Sequence, residues 1–235
     1  MKKMMFAGAC DKSDLVLYIG KLLAIADQKT LVIDATQEQI YRYSVPRIDA
    51  DYPITEFEGF DVANGFYCLG DLQTYMEEQQ ERFDAYDCVL IDTDRTDSVA
   101  QWGDVQHYTL VTTYDKRTIR KNQALIEAIF FPRTDTETEV LFQKVILREV
   151  DCQINEEYVE STISEYPIRW SEPSYPVFFD DVDYAVKIEN QFNERLAMKR
   201  LSKPFKQGIQ DLALLLSGLP ESDLKKALKQ AERSK

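Results

Sequence analysis

Six short apolar runs constrain this chain more than any other feature. "KMMFAGA" (Lys3–Ala9), "KTLVIDA" (Lys29–Ala35), "GFYCLG" (Gly65–Gly70), "YDCVLIDT" (Tyr86–Thr93), "HYTLVTT" (His107–Thr113) and "FQKVILREV" (Phe142–Val150) read as strands. Most are continuously apolar rather than alternating, as expected when both faces of a parallel sheet are covered. Between them Asp14–Asp27, Asp71–Phe83 and Thr118–Phe130 carry helical spacing. The first is apolar nearly all round, through Leu15, Val16, Leu17, Ile19, Leu22, Leu23 and Ile25, which predicts a buried helix. Strand and helix alternate along most of the chain. The expected fold is therefore α/β, a doubly wound, mostly parallel sheet with helices on both faces. A proline-punctuated stretch with "YPIRW" and "YPVFF" follows, then a helical tail from about Tyr184. The expected organisation is one domain over 1–220 and a basic amphipathic helix or tail over 221–235.

Length and composition narrow the class. At 235 residues the chain can bury a sizeable core, and 44% hydrophobic with 29% charged residues is ordinary for a globular protein. No apolar run approaches the ~18 residues of a membrane span, and "MKKMMFAGA" is too short in its apolar part for a secretory leader. Cys10, Cys68, Cys88 and Cys152 show no C-x-x-C spacing and His107 is the single histidine, so a Cys/His zinc site is not expected. Cys68 and Cys88 lie in strand-like runs and read as buried thiols. The expectation is a reduced, cytoplasmic protein. Its net charge is −13, yet residues 194–235 carry +5 against −18 for the rest. An acidic body repels nucleic acid and anionic lipid.

The turn after the first run reads Phe6, Ala7, Gly8, Ala9, Cys10, Asp11, Lys12, Ser13. A Lys-Ser pair between a strand and a helix is where a phosphate-binding loop sits. With this loop, the order of motifs resembles the MinD/ParA-like proteins, the deviant-Walker branch (SIMIBI class) of the P-loop NTPases. "KTLVIDATQEQ" is similar to that family's V-L-L-I-D-x-D-x-Q strand, and "YDCVLIDTD" to its Walker B strand. "YTLVTTYDKRTIRKNQALIEAI" looks like the next strand and helix, and "FQKVILREV" like the strand carrying an adenine-contacting Asn. The resemblance covers nearly the whole chain. It implies ATP or ADP with Mg²⁺ as the ligand, and Gly8, Lys12, Ser13, Asp34 and Asp92 as the residues that would meet it.

The chemistry of the family departs at several of the matched positions. A P-loop works because small residues let successive amides curl round phosphate oxygens while a lysine neutralises them and a hydroxyl holds Mg²⁺. Against G-K-G-G-x-G-K-T, only Gly8, Lys12 and Ser13 agree. Phe6 and Asp11 replace glycines. Asp11 adds charge at the mouth, worth about 4 kcal/mol of repulsion per phosphate charge at ~4 Å and an effective dielectric of ~20. The signature lysine that bridges the family's dimer is matched by Ala7, and the water-positioning acid by Thr36. Asp94-Arg95 replaces Pro-Pro, and Arg148 stands nearest the adenine-contacting Asn. Phosphoryl transfer rests on positioning and electrostatics, so ATP hydrolysis is not expected and no cofactor is expected to be required.

Three further features bear on partners. Lys116, Arg117, Arg120 and Lys121 cluster at a helix start, and the resemblance implies DNA as a candidate partner because ParA-like proteins often bind it through scattered surface Lys and Arg. The net charge favours an ordinary solvated face. The segment Ile40–Phe66, aromatic and proline-punctuated, reads as a long connection without a clear helix. In "LPESDLKKALKQAERSK", Leu224, Ala227, Leu228 and Ala231 share one helical face, with Ser222 as its cap. That stripe is too thin for a membrane anchor and is expected to bind a partner or fray. No Ser/His/Asp or G-x-S-x-G arrangement supports a hydrolase of another class. The resemblance thus implies a pseudo-ATPase scaffold of a bacterial assembly, in pilus or secretion, division or partition machinery, with the pilus-type members similar to TadZ as its nearest parallel. Protein partners, a homodimer independent of nucleotide, and membrane recruitment only through partners are the matching expectations. The alternatives are an atypical ATPase whose dimerisation nucleotide switches, and a DNA-partition protein.

Overall fold

The computed structural model describes residues 1–48, 52–133 and 138–233. In chain order the elements are β1 (Lys2–Ala7), α1 (Ser13–Ile25), β2 (Thr30–Asp34), β3 (Ile54–Phe57), β4 (Phe60–Asn64), α2 (Leu69–Glu78), β5 (Cys88–Thr93), β6 (His107–Thr112) and α3 (Lys116–Phe130). They continue with β7 (Val140–Glu149), α4 (Glu156–Ser161), β8 (Ile168–Trp170), β9 (Tyr175–Phe178), α5 (Asp181–Asn193), α6 (Lys203–Ser217) and α7 (Glu221–Ala231). The strands form one sheet in the order β3-β4-β2-β5-β1-β6-β7-β8, and β9 also pairs with β7. Among the described residues only β3 and β4 pair antiparallel.

Side-chain alternation along the strands divides the core in two. Met4 and Phe6 of β1, Val32, Leu90 and Val111 pack beneath α1, α6 and α7, with Val186 of α5 in the same cluster. Met5, Ala7, Leu31, Ile33, Val89, Ile91 and Leu110 pack beneath α2 and α3 with Trp102. Both faces of the sheet are covered, which is why its strands carry apolar residues at successive positions. The fold is the doubly wound α/β architecture that the alternation of elements predicts.

Three expectations need correction. "GFYCLG" is not a strand. The paired strand is the preceding Phe60–Asn64, and Gly65–Gly70 turns into α2. Gly65 adopts φ +84, and Cys68 is the N-cap of α2, its half-exposed Sγ accepting from the Asp71 amide at 3.4 Å. The Ile40–Phe66 connection holds a 3-10 turn at Ile40–Tyr43 and the β3–β4 hairpin, while 49–51 lie outside the described residues. The stripe of α7 is not left to a partner. Leu224, Ala227 and Ala231 are buried in the core shared with α1 and α6, and Leu228 packs against it. Ser222 lies inside α7, which Pro220 opens without a side-chain cap. No helix among the described residues is long and apolar enough to cross a membrane.

Candidate functional site

The loop from Gly8 to Ser13 leaves the C-terminal end of the central strand β1 and enters α1. On one side of β1 lies β5, and beyond it β2, so the parallel register sets Asp92 opposite Asp34 at the same sheet edge. Gly8, Lys12, Ser13, Asp34 and Asp92, the five residues singled out from sequence, therefore meet around one place. Each is turned to a partner within the chain.

Lys12 is almost fully buried. Its Nζ donates to the Gly8 carbonyl at 2.6 Å and pairs with Asp92 Oδ1 at 2.6 Å. The other carboxylate oxygen of Asp92 accepts from the Tyr41 hydroxyl at 2.9 Å. Burial pushes the Asp92 carboxyl up to about 6 against the pull of Lys12, with Asp34 adding repulsion. Burial alone would draw the Lys12 ammonium down, but Asp92 outweighs it and holds Lys12 above its ordinary value. Asp34 is equally closed. Its Oδ1 accepts from the amide and hydroxyl of Thr36 at 3.0 and 2.6 Å, and its Oδ2 from the Tyr41 amide at 3.0 Å. Tyr41, carried by the 3-10 turn, thus bridges both strand-end acids.

The loop amides and glycine answer to packing. A Cβ on Gly8 would stand 2.0 Å from the Val111 carbonyl oxygen, so glycine is required here by the closeness of β6. The Gly8 amide donates to the Thr93 carbonyl at 3.0 Å, and the Ala9 amide to Asn122 Oδ1 of α3 at 2.9 Å. Asn122 is itself buried and donates back to the Val111 carbonyl at 3.3 Å. At the start of α1, Asp11 Oδ1 accepts from the Ser13 hydroxyl at 2.8 Å and its amide at 3.1 Å. Ala7, the position matched to the signature lysine, is wholly buried within β1.

Asp11 does not stand as a bare charge at the mouth, as its position in the sequence suggests. Lys187 of α5 reaches across, its Nζ 2.5 Å from Asp11 Oδ2 and 3.3 Å from Asp14 Oδ1. Burial tends to raise the Asp11 carboxyl, but Lys187 and the Ser13 donors hold it below the usual carboxylate range. Arg148 lies at an irregularity in the β7–β9 register, in the left-handed region at φ +53, where a bulge re-aims a side chain. Its guanidinium donates to the Asp11 carbonyl at 3.5 Å and lies over the Tyr184 ring, 5.8 Å from its centroid.

An open depression of about 240 Å³ remains above the loop, bounded by Gly8–Lys12, Thr36, Glu38, Ile40, Asp92, Asp94, Arg117 and Lys121. Of the four basic residues at the start of α3, only Arg117 and Lys121 line it. The groups that would meet a Mg²⁺-bound triphosphate all have partners within the chain. The lysine is spent on Asp92, the Ser13 hydroxyl on Asp11, the Ala9 amide on Asn122, and both strand-end acids are capped by Tyr41. Tyr41, Asn122 and Lys187 are the residues that sequence reasoning missed. Each acts through a contact between distant segments, and none stands in a motif.

No family model matches the sequence, and no curated protein is similar to it. Solved structures are similar in shape. MinD cell division protein of Aquifex aeolicus superposes with a TM-score of 0.60 at 13% identity, over 94% of this chain and 98% of that one. The same organism's MinC:MinD cell division complex gives 0.57 at 11%, over 100% and 98%. A ParA family ATPase from Chlorobium tepidum gives 0.53 at 11%, over 99% of both chains. This chain has the MinD/ParA-like P-loop NTPase fold. At such identities the likeness extends to the fold and to nothing further.

Proposed function

We propose that this protein is a MinD/ParA-like positioning or assembly scaffold that works without a nucleotide switch. The observation that carries the reading is the Lys12–Asp92–Tyr41 cluster. It fills with the chain's own groups the place where a P-loop lysine and Walker B acid would serve a nucleotide. Asp11 and Lys187 complete the substitution at the start of α1. Positioning is the role suggested by the fold's relatives, and the MinD of Aquifex aeolicus is seen with a protein partner, MinC. The setting we favour is a bacterial pilus or secretion, division or partition assembly, with self-association independent of nucleotide.

Calorimetric titration of Mg²⁺·ATP and Mg²⁺·ADP into the full chain tests this. The expected result is no saturable heat up to millimolar nucleotide and no phosphate release above background. Binding in the micromolar range that Lys12→Ala abolishes would overturn it. The second reading, an atypical ATPase whose dimerisation nucleotide switches, draws on the depression and on Arg117 and Lys121 at its rim. Sedimentation with and without Mg²⁺·ATP separates the two, since only the second gives a nucleotide-induced dimer.

A further inference from the structure

Five lysines are buried among the described residues, and four of them are paired with acids. Lys12 has Asp92, Lys21 has Glu58, Lys144 has Glu156 and Glu160, and Lys187 has Asp11 and Asp14. The fifth is Lys3, 6% exposed, near the start of β1 and so at the opposite end of that strand from the Gly8–Ser13 loop. It forms no ion pair among the described residues, and its Nζ donates to the Trp102 carbonyl at 3.3 Å. One long hydrogen bond is little compensation for a charge taken out of water. Burial draws the ammonium below its ordinary value, against the weaker pull of Asp104.

Lys3 lines an open cleft of about 430 Å³ between β1, α2 and the turn that follows α2. Leu69 and Phe83 give the cleft an apolar wall. A Cβ at Gly103 would stand 3.5 Å from Lys3 Nζ and 3.2 Å from Leu69 Cδ2, so the amine and this leucine flank one point. The charges around them are of both signs. Arg82 and Asp84 answer each other through hydrogen bonds of 2.9 and 2.7 Å and leave no charge over. Glu77 and Glu81 are exposed, line the same cleft and form no ion pair among the described residues. Met1 adds a cation at the rim, its α-ammonium.

This arrangement selects among ligands. A simple carboxylate would be drawn to Lys3 but repelled by Glu77 and Glu81. A simple amine would be drawn to the two glutamates but repelled by Lys3. A small molecule with both charges and an apolar group meets the lysine, the acids and the wall at once, and the volume of the cleft admits it.

We propose that this cleft binds a free amino acid with an apolar side chain. Its carboxylate pairs with Lys3, its ammonium with Glu77 and Glu81, and its side chain packs on Leu69 and Phe83. The site is separate from the closed loop, so the scaffold reading can fail without it.

Saturation-transfer NMR titrations of the full chain with L-leucine and L-phenylalanine test this. Each should bind saturably with a Kd below about 1 mM. Leucinamide, which lacks the carboxylate, and 4-methylpentanoate, which lacks the ammonium, should each bind about ten-fold more weakly than leucine, as expected for the loss of one charged hydrogen bond. Lys3→Met should abolish leucine binding. Glu77→Gln combined with Glu81→Gln changes only exposed positions and should erase the preference for leucine over 4-methylpentanoate, which keeps the test open if Lys3→Met does not fold. Gly-Gly-Leu offers the same carboxylate and side chain without an adjacent ammonium and should bind no better than 4-methylpentanoate. No saturable binding of either amino acid up to ~10 mM, leucine binding unchanged by Lys3→Met, or equal binding of leucine and 4-methylpentanoate would each overturn the proposal. So would tighter binding of Gly-Gly-Leu than of leucine, which would assign the cleft to the end of a protein chain.

Discussion

Two buried lysines hold the loop between β1 and α1, with partners in opposite surroundings. Lys12 pairs with Asp92 where the two side chains are 1% and 0% exposed, whereas Lys187, itself 6% exposed, pairs with an Asp11 that is 41% exposed. The first pair has no water to fall back on. Asp92 has Tyr41 on its other oxygen, and Lys12 has only the Gly8 carbonyl besides. The second pair lies at the rim, and Asp11 keeps two bonds from Ser13 without it. Burying both members of a pair makes each dependent on the other, while a rim pair contributes little to stability. The inner pair therefore belongs wholly to the core, and the outer one ties α5 to the loop and to the first turn of α1 through a partner that water can reach.

The largest expected effect comes from breaking the inner pair. Lys12→Met strands a buried carboxylate and should cost about 3–5 kcal/mol of unfolding free energy. Adding Asp92→Asn removes the stranded charge and should recover a large part of that loss. Urea denaturation of the single and double variants measures both. A Lys12→Met cost no larger than that of Lys187→Met would break the comparison, because burial would then not set the difference.

Lys187→Met is the sharper contrast. Its cost should be smaller than that of Lys12→Met, because Asp11 is exposed and keeps its Ser13 donors, and should shrink between ~0.05 and ~0.5 M salt. Thermal melts at the two salt concentrations read this directly.

The smallest effect concerns pH, where the two acids pull in opposite senses. Asp92 titrates at about 6 in the fold against about 3.9 when unfolded, so the folded state holds more protons between those values. Its contribution is complete below about pH 4 and is lost as pH rises through about 6. Asp11 is held below its ordinary value, so its contribution is present above about pH 4 and is lost as pH falls. Asp92→Asn should therefore make stability climb more steeply from pH 4 to 6, and Asp11→Asn should flatten the profile below pH 4. Denaturation across a pH series checks the signs. Changes of the same sign would remove the distinction between the pairs.

The sheet was legible where its strands are covered on both faces. β1, β2, β5, β6 and β7 announce themselves as apolar runs because each contributes to both core clusters. β4 escaped because Asp61 and Asn64 interrupt it, while the apolar "GFYCLG" beside it packs Phe66 inward from a turn. Asp61 is explained only by the Tyr86 hydroxyl that donates to it at 2.7 Å, a contact between strand and distant loop. At the site, sequence placed Gly8, Lys12, Ser13, Asp34 and Asp92 together because the parallel register aligns strand ends. It could not give the direction in which Lys12 points. Lys12 turns to Asp92, and the other oxygen of Asp92 is held by Tyr41, 29 positions on by number from Lys12, whose place in an irregular segment carries no periodic signal. Likewise Asp11 reads as a repulsive charge until α5, 176 residues away, supplies Lys187.

The closed inner cluster also governs how such a sequence can drift. Exchanging Lys12, Asp92 or Tyr41 alone leaves a charge or hydroxyl in the core without its counterpart, so neighbouring sequences one step away lie in a valley. Freeing Lys12 would leave Asp92 buried with Tyr41 as its one partner. A change at any of the three positions therefore falls on the other two, and compensated double changes are the ones the core tolerates, while the exposed surfaces around the cluster are free to vary.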